Sequence, residues 1–160
     1  MTNPFAQVSS VSVGETRLAN SPQEQLLAKA MSHSTNGTQN ISAGSILMPP
    51  GKIARMHRHN KHEIIVVVFE GLAASLYGEN LEPIVHRPGD FLHIPPGIPH
   101  CGINLSLEHR MIGIEMRTDP EFNEDVELLP ELDPRAAHVA AELQSKYAND
   151  FPDYSFGDLL

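Results

Sequence analysis

Two stretches decide the fold of this 160-residue chain: Gly51-Lys-Ile-Ala-Arg-Met-His-Arg-His-Asn-Lys-His-Glu63 and Gly89-Asp-Phe-Leu-His-Ile-Pro-Pro-Gly-Ile-Pro-His-Cys-Gly-Ile-Asn104. In an extended strand, residues two apart point to the same face, so the first stretch presents His57 and His59 to one side. Glu63 can return to that side if the chain bends just before it. These three side chains therefore predict part of a metal site.

The second stretch predicts a tight turn followed by a strand. Pro95, Pro96, Gly97 and Pro99 are typical turn residues, and the strand that follows them begins with His100. We predict that His100 is the fourth ligand of the same metal ion.

Together these residues resemble the two-motif signature of the cupin family, G-x5-H-x-H-x3,4-E-x6-G and G-x5-P-x-G-x2-H-x3-N. The second motif is matched at every fixed position, by Gly89, Pro95, Gly97, His100 and Asn104.

The first motif fits with one difference in spacing. Seven residues instead of six separate Glu63 from Gly71, so counting back from Gly71 places Ile64 at the ligand position. Counting forward from His59 gives Glu63. Because isoleucine cannot bind a metal, we predict Glu63, with His62 as the alternative ligand if the strand carries a bulge.

The resemblance covers roughly residues 40–118, and the segments Arg117–Pro120 and Leu128–Leu132 are similar to the tail of small, mostly uncharacterised bacterial cupins. It implies an all-β protein: a cupin-type double-stranded β-helix, or jelly-roll barrel, with short N- and C-terminal helices. We predict an N-terminal arm and short helix over residues 1–40, the barrel over 41–118, and an acidic C-terminal extension with a helix over 119–160.

The local sequence pattern supports this division. Eight short β-like runs are separated by Gly and Pro signals, which is typical of an antiparallel barrel or double sheet. The runs are Ile41–Met48, Ala54–His59, Glu63–Phe69, Ala73–Tyr77, Pro83–His86, Phe91–Ile94, His100–Asn104 and Arg110–Arg117. Serine, proline and glutamate at Ser21–Glu24 predict a helix to about Met31, and Asp133-Pro134 predicts a second from Arg135 to about Tyr147.

The third run is apolar on both faces. If Glu63 points into the barrel, then Ile64, Val66 and Val68 form a ridge on the outside. An exposed ridge of this kind predicts a homodimer, and the alternative is cover by residues 1–20 or by the helix from Arg135.

Charge and composition limit the classes of molecule that this chain can bind and the compartments in which it can lie. The net charge is −9, and residues 119–160 carry eleven acidic but only two basic side chains, so nucleic acid is excluded as a partner. The single cysteine, Cys101, excludes an internal disulfide. No signal peptide and no apolar run of about 18 residues is visible, so we expect a cytoplasmic protein without membrane contact.

The predicted site is one divalent ion held by His57, His59, Glu63 and His100. Imidazole suits Fe, Ni, Cu and Zn, and a carboxylate shifts the preference toward Fe or Mn, so iron is the first choice. We expect a dioxygenase-type oxidoreductase acting on a small organic substrate, as in many cupins with these ligands. The alternatives are a Lewis-acid isomerase or lyase, and a ligand- or metal-binding barrel without turnover. The roles of His93 and Asn104 stay open.

Overall fold

Two antiparallel sheets face each other in this computed structural model, which describes residues 7–160. In spatial order, the first sheet contains β1 (Ala19–Asn20), β2 (Leu26–Met31), β3 (Ser42–Met48), β10 (Met111–Arg117), β5 (Ile64–Glu70) and β8 (Phe91–Ile94). The second contains β11 (Glu127–Leu128), β4 (His57–Arg58), β9 (His100–Asn104), β6 (Ala73–Tyr77) and β7 (Glu82–His86). The inner faces of the two sheets enclose the core.

Helices are few and short within the described residues. They are α1 (His33–Asn36), α2 (Asp133–Lys146) and two 3-10 turns at Val13–Glu15 and Phe156–Leu159. The predicted C-terminal helix is confirmed, and it begins two residues early because Pro134 is accepted in its first turn. No helix in residues 7–160 has the length and apolarity to cross a membrane.

All eight strands predicted from the sequence are present as β3 to β10, within a few residues of the expected ends. The glycines between them provide backbone conformations that other residues rarely adopt. At Gly71, φ is +99° and a Cβ would lie 2.7 Å from the carbonyl oxygen of Arg110, so only glycine fits the corner between β5 and β6.

The N-terminal helix predicted over Ser21–Met31 is wrong, since this segment is a turn followed by β2. The backbone N–H of Glu24 donates to the carbonyl oxygen of Ser21, and the N–H of Gln25 donates to Ser21 Oγ. Serine and proline favour a tight turn as well as a helix start, and here the open edge of β3 pairs with β2. Tertiary pairing therefore overrides the local signal.

The faces of β5 are also the reverse of the prediction. Ile64, Val66 and Val68 line the interior, and Ile64 and Val68 are almost fully buried. The prediction of an outward apolar ridge is therefore wrong, and the predicted homodimer loses the observation on which it was based. Because side chains alternate along a strand, Glu63 and Ile65 face outward instead.

The outer face of β5 is covered by the C-terminal end of the same chain. Phe69 stacks on Phe156, with ring centroids 4.6 Å apart and planes at 20°. Val67 is buried on this side, whereas Ile65 stays 40% exposed. The Phe69 contact comes from the 3-10 turn after α2. The alternatives expected from the sequence were the helix from Arg135 and residues 1–20, of which the first six lie outside the described residues.

Both flanking segments contribute strands to the sheets. The hairpin of β1 and β2 extends the first sheet, and β11 pairs with β4 at the edge of the second. The first six residues of the predicted arm lie outside the described residues. The boundaries at residues 41 and 118 stay a prediction.

Candidate metal centre

Three histidines meet at one end of the interior. His57 on β4 pairs directly with His100 on β9, and His59 follows two residues after His57 on the same face. One ring nitrogen of each lies within 4.8 Å of those of the other two. All three side chains are buried. The cluster could hold a metal ion.

Backbone carbonyls fix two of the rings. His57 Nδ1 donates to the carbonyl oxygen of Arg55 at 2.8 Å, and His100 Nδ1 donates to that of Ile98 at 2.9 Å. A carbonyl can only accept, so the proton of each neutral ring is on Nδ1 and the lone pair of Nε2 is free. This arrangement is typical of metal-binding histidines.

His59 is the least satisfied side chain of the cluster. It is 2% exposed, and neither Nδ1 nor Nε2 has a hydrogen-bond partner among the described residues. A buried polar nitrogen without a partner is costly, and a bound ion would remove that cost. The residues present therefore fit a divalent ion.

The cluster is held neutral by its surroundings. Burial lowers the pKa of His57 well below its usual range, and electrostatic coupling to His100, His59 and Arg117 acts in the same direction. Burial and Arg117 lower the pKa of His59 to about 3, and burial lowers that of His100. Neutral imidazole is the form that binds metals, so the site is ready for an ion at neutral pH.

The structure does not bring Glu63 to this cluster. Its carboxylate lies on the outer surface, where Oε2 accepts a hydrogen bond from His93 Nε2 at 2.8 Å. Ile64 faces the interior instead, in agreement with the count back from Gly71. Strand alternation sends Glu63 and Ile64 to opposite faces of β5, so the carboxylate expected as a ligand lies away from the three histidines.

The other open candidates are also away from the cluster. His62 lies outside it, with Nε2 4.0 Å from Asp125 Oδ2. Asn104 is fully buried, and its Nδ2 donates to the carbonyl oxygens of Met48, Pro49 and His109. Asn104 therefore links the segment after β3 to the loop before β10.

Cys101 is a core side chain. It is fully buried on β9, and burial raises the pKa of its thiol to about 12. A thiol with this pKa is not a nucleophile at neutral pH.

An ion pair inside the barrel was not predicted from the sequence. Glu115 and Arg117 on β10 are nearly fully buried, line the interior cavity and bind each other through Arg117 Nη2 and Glu115 Oε2. The two-residue alternation along β10 could have revealed the pair, because Glu115 and Arg117 lie on the same inward face as Met111 and Gly113. Arg117 also donates to the carbonyl oxygen of Phe122, which ties the loop after β10 to the barrel.

Two spaces meet beside the histidines. The interior cavity, lined by His57, His100 and the inward side of β5, has a volume of ≈ 30 Å³, room for one or two water molecules. A wider vestibule of ≈ 340 Å³ opens between β7 and β8. Its walls are Ser75, Tyr77, Ile84, Leu92, His93, Ile94, Pro95, Ile98 and His100.

Comparison with known proteins gives the family. Residues 44–114 match the family described as a cupin domain. This chain contains a cupin domain. The fold is the jelly-roll barrel expected from the two motifs, and the matched range covers both of them. No curated protein matches the chain.

Solved structures agree with this fold at low sequence identity. A double-stranded β-helix protein from Klebsiella pneumoniae is 20% identical, with a TM-score of 0.59, over 76% of this cupin and 97% of that chain. The polyketide cyclase RemF from Streptomyces resistomycificus is 14% identical, with a TM-score of 0.68, over 84% and 98%. KdgF from a Halomonas species is 18% identical, with a TM-score of 0.59, over 74% and 98%.

Proposed function

We propose that this cupin is a metal-dependent enzyme acting on a small organic molecule, with one divalent ion held by His57, His59 and His100. The observation that carries the proposal is the convergence of three buried, neutral imidazoles, one of which has no other partner for either ring nitrogen. Three histidines with an open fourth position are a known ligand set of catalytic zinc sites.

The absence of Glu63 from the cluster bears on the chemistry. Three neutral ligands leave the full charge of a divalent ion in an apolar interior, and Glu115 is already neutralised by Arg117. A buried charge requires a counter-charge, so the site favours a substrate that binds as an anion. The ion would supply Lewis-acid polarisation of a carbonyl or stabilisation of an enediolate, which gives an isomerase or lyase.

Dioxygen activation by a redox-active ion, with iron first, is the second candidate. The observation that favours it is the ≈ 30 Å³ cavity beside His57 and His100, whose walls include Ile64, Val66 and Val68. A space of this size suits a diatomic gas better than an organic substrate.

Metal analysis and oxygen uptake test both candidates. Protein purified without added metal is analysed for Fe, Mn, Ni, Zn and Cu, and then screened in an oxygen electrode with catechols, diketones, thiols and sugars. Turnover without oxygen uptake supports the Lewis-acid reaction, and stoichiometric uptake supports the dioxygenase. Stoichiometric metal without turnover of any substrate class would favour a binding protein.

A further inference from the structure

Ser75 on β6 and His86 on β7 form a buried polar pair on the inward face of the second sheet. His86 Nε2 and Ser75 Oγ are 3.1 Å apart, and the two residues are 5% and 9% exposed. Neither belongs to the cupin motifs.

Ser75 lies at the junction of the two spaces. Three residues line both the interior cavity and the vestibule: Ser75, Ile94 and His100. In the pairing of β6 with β9, Tyr77 is opposite His100 and Ser75 is opposite Gly102, so Ser75 shares the inward face with His100 and is diagonal to it. A molecule that extends from the vestibule into the interior cavity therefore lies within reach of the Ser75 side chain.

The hydroxyl retains bonding capacity for a ligand. A serine side chain can donate one hydrogen bond and accept two, and the bond with His86 uses only one of these. Because the hydrogen bond with His86 already restricts the rotamer of Ser75, less rotamer freedom is lost when a ligand binds the hydroxyl.

The chemistry of the vestibule restricts the ligand. Its walls are mainly apolar, with Ile84, Leu92, Ile94 and Ile98 around the ring of Tyr77. A polyol would leave several hydroxyls unpaired against these walls, whereas an apolar body would be favoured. At the inner end of the vestibule, the Ser75 hydroxyl and an ion held by the histidines would each bind an oxygen atom of the ligand.

We propose that Ser75, oriented by His86, is the ligand-binding hydroxyl of this junction, and that the ligand is a small molecule with an apolar body and an oxygen donor at one end. The proposal rests on the proposed function in one respect: the ion held by the three histidines is the second group that the ligand's oxygen binds. The body lies in the vestibule, because the interior cavity of ≈ 30 Å³ is too small for it.

Catechol is a suitable probe, since it has an apolar ring and two adjacent oxygens. Its affinity for cobalt(II)-loaded protein is measured by titration calorimetry, and cobalt avoids oxidation of the probe. Azide, an anion small enough to bind the ion without filling the vestibule, is titrated in parallel through the cobalt absorbance.

Three variants separate the contributions. Ile84→Asp places a charge in the vestibule wall at a side chain that is already 39% exposed, and we expect catechol affinity to fall at least about ten-fold. Leu107→Asp is the matched control, because Leu107 is 64% exposed and does not line the vestibule, and we expect no change in catechol affinity.

The Ser75→Ala/His86→Leu double variant removes both partners of the buried hydrogen bond, so neither is left unpaired. We expect catechol affinity to fall about five-fold, the contribution of one neutral hydrogen bond. Azide affinity should be the same in all four proteins.

Unchanged catechol affinity in Ile84→Asp or in the double variant would overturn the proposal. So would failure of catechol to bind wild-type protein that holds cobalt, or conversion of a dimer to a monomer by Ile84→Asp, which would make the vestibule a subunit contact. If wild-type protein takes up no cobalt, the proposed function fails, and catechol titrations of the metal-free proteins then test the role of Ser75 alone. The same ranking of catechol affinities among the metal-free variants supports this role, and absence of catechol binding to metal-free protein overturns it.

Discussion

His93 Nε2 donates a hydrogen bond to Glu63 Oε2 at 2.8 Å on the outer surface of the barrel. Both side chains are about half exposed, and the pair lies on the opposite side of the sheet from the three histidines. The residue at the carboxylate position of the first motif therefore has a surface partner, and Ile64 takes its place inside.

This relationship predicts that Glu63 is dispensable for metal binding. Glu63→Gln should keep the wild-type metal content and affinity, because the side chain does not reach the cluster. His62→Ala is the matched control and should also bind normally. Competition with a chromophoric chelator measures both, and a loss of more than about ten-fold in Glu63→Gln would return Glu63 to the ligand set.

The strands and the three histidines were predictable because they depend on local signals. Glycine and proline at turns mark the strand ends, and the spacing of His57 and His59 places both on one face whatever the neighbouring strands are. The faces of β5 were not predictable in this way, since a one-residue difference in register reverses every side chain. The sequence offered two counts, from His59 and from Gly71, and the structure follows the count from Gly71.

Long-range pairing explains what else was missed. The turn at Ser21 carries signals for a helix start and for a hairpin, and only the open edge of β3 decides between them. The roles of Glu115, Arg117, Ser75 and His86 depend on which strands lie side by side, which composition and spacing do not reveal.

The buried ion pair of Glu115 and Arg117 should be strongly coupled. Arg117→Met leaves Glu115 as an unpaired charge in the interior, and we expect the free energy of unfolding to fall by about 3–5 kcal/mol. The Glu115→Gln/Arg117→Met double variant should be less destabilised than the sum of the two single variants. Urea unfolding of the four proteins measures this, and additive losses would contradict the pairing.

Asn104 should matter for stability and not for metal binding. Its amide donates to carbonyl oxygens of two loops and is fully buried, so Asn104→Ala leaves these acceptors without a donor. We expect a loss of about 1–3 kcal/mol in the free energy of unfolding. Metal content should be unchanged, and a loss of metal from a folded variant would instead place Asn104 in the site.

His86 predicts a dependence of stability on pH. Burial lowers its pKa to about 4, from an ordinary value of 6.5 in the unfolded chain. Below pH 6.5 the unfolded state therefore binds a proton that the folded state does not, and the free energy of unfolding falls as the pH drops from 6.5 to 4. The difference corresponds to about 3 kcal/mol.

The Ser75→Ala/His86→Leu variant isolates this contribution, because the three clustered histidines titrate in the same direction in both proteins. Between pH 7 and 4 the variant should lose about 3 kcal/mol less than the wild type. Parallel stability curves, measured by urea unfolding, would show that His86 does not titrate in this way.

The most direct test of the metal centre is the metal content of wild-type protein and of the His57→Ala/His100→Ala variant after equilibration with a divalent ion and removal of excess. We expect one ion per chain for the wild type and almost none for the folded double variant, since two of three ligands are gone. One ion per chain in both proteins, or none in the wild type, would contradict it.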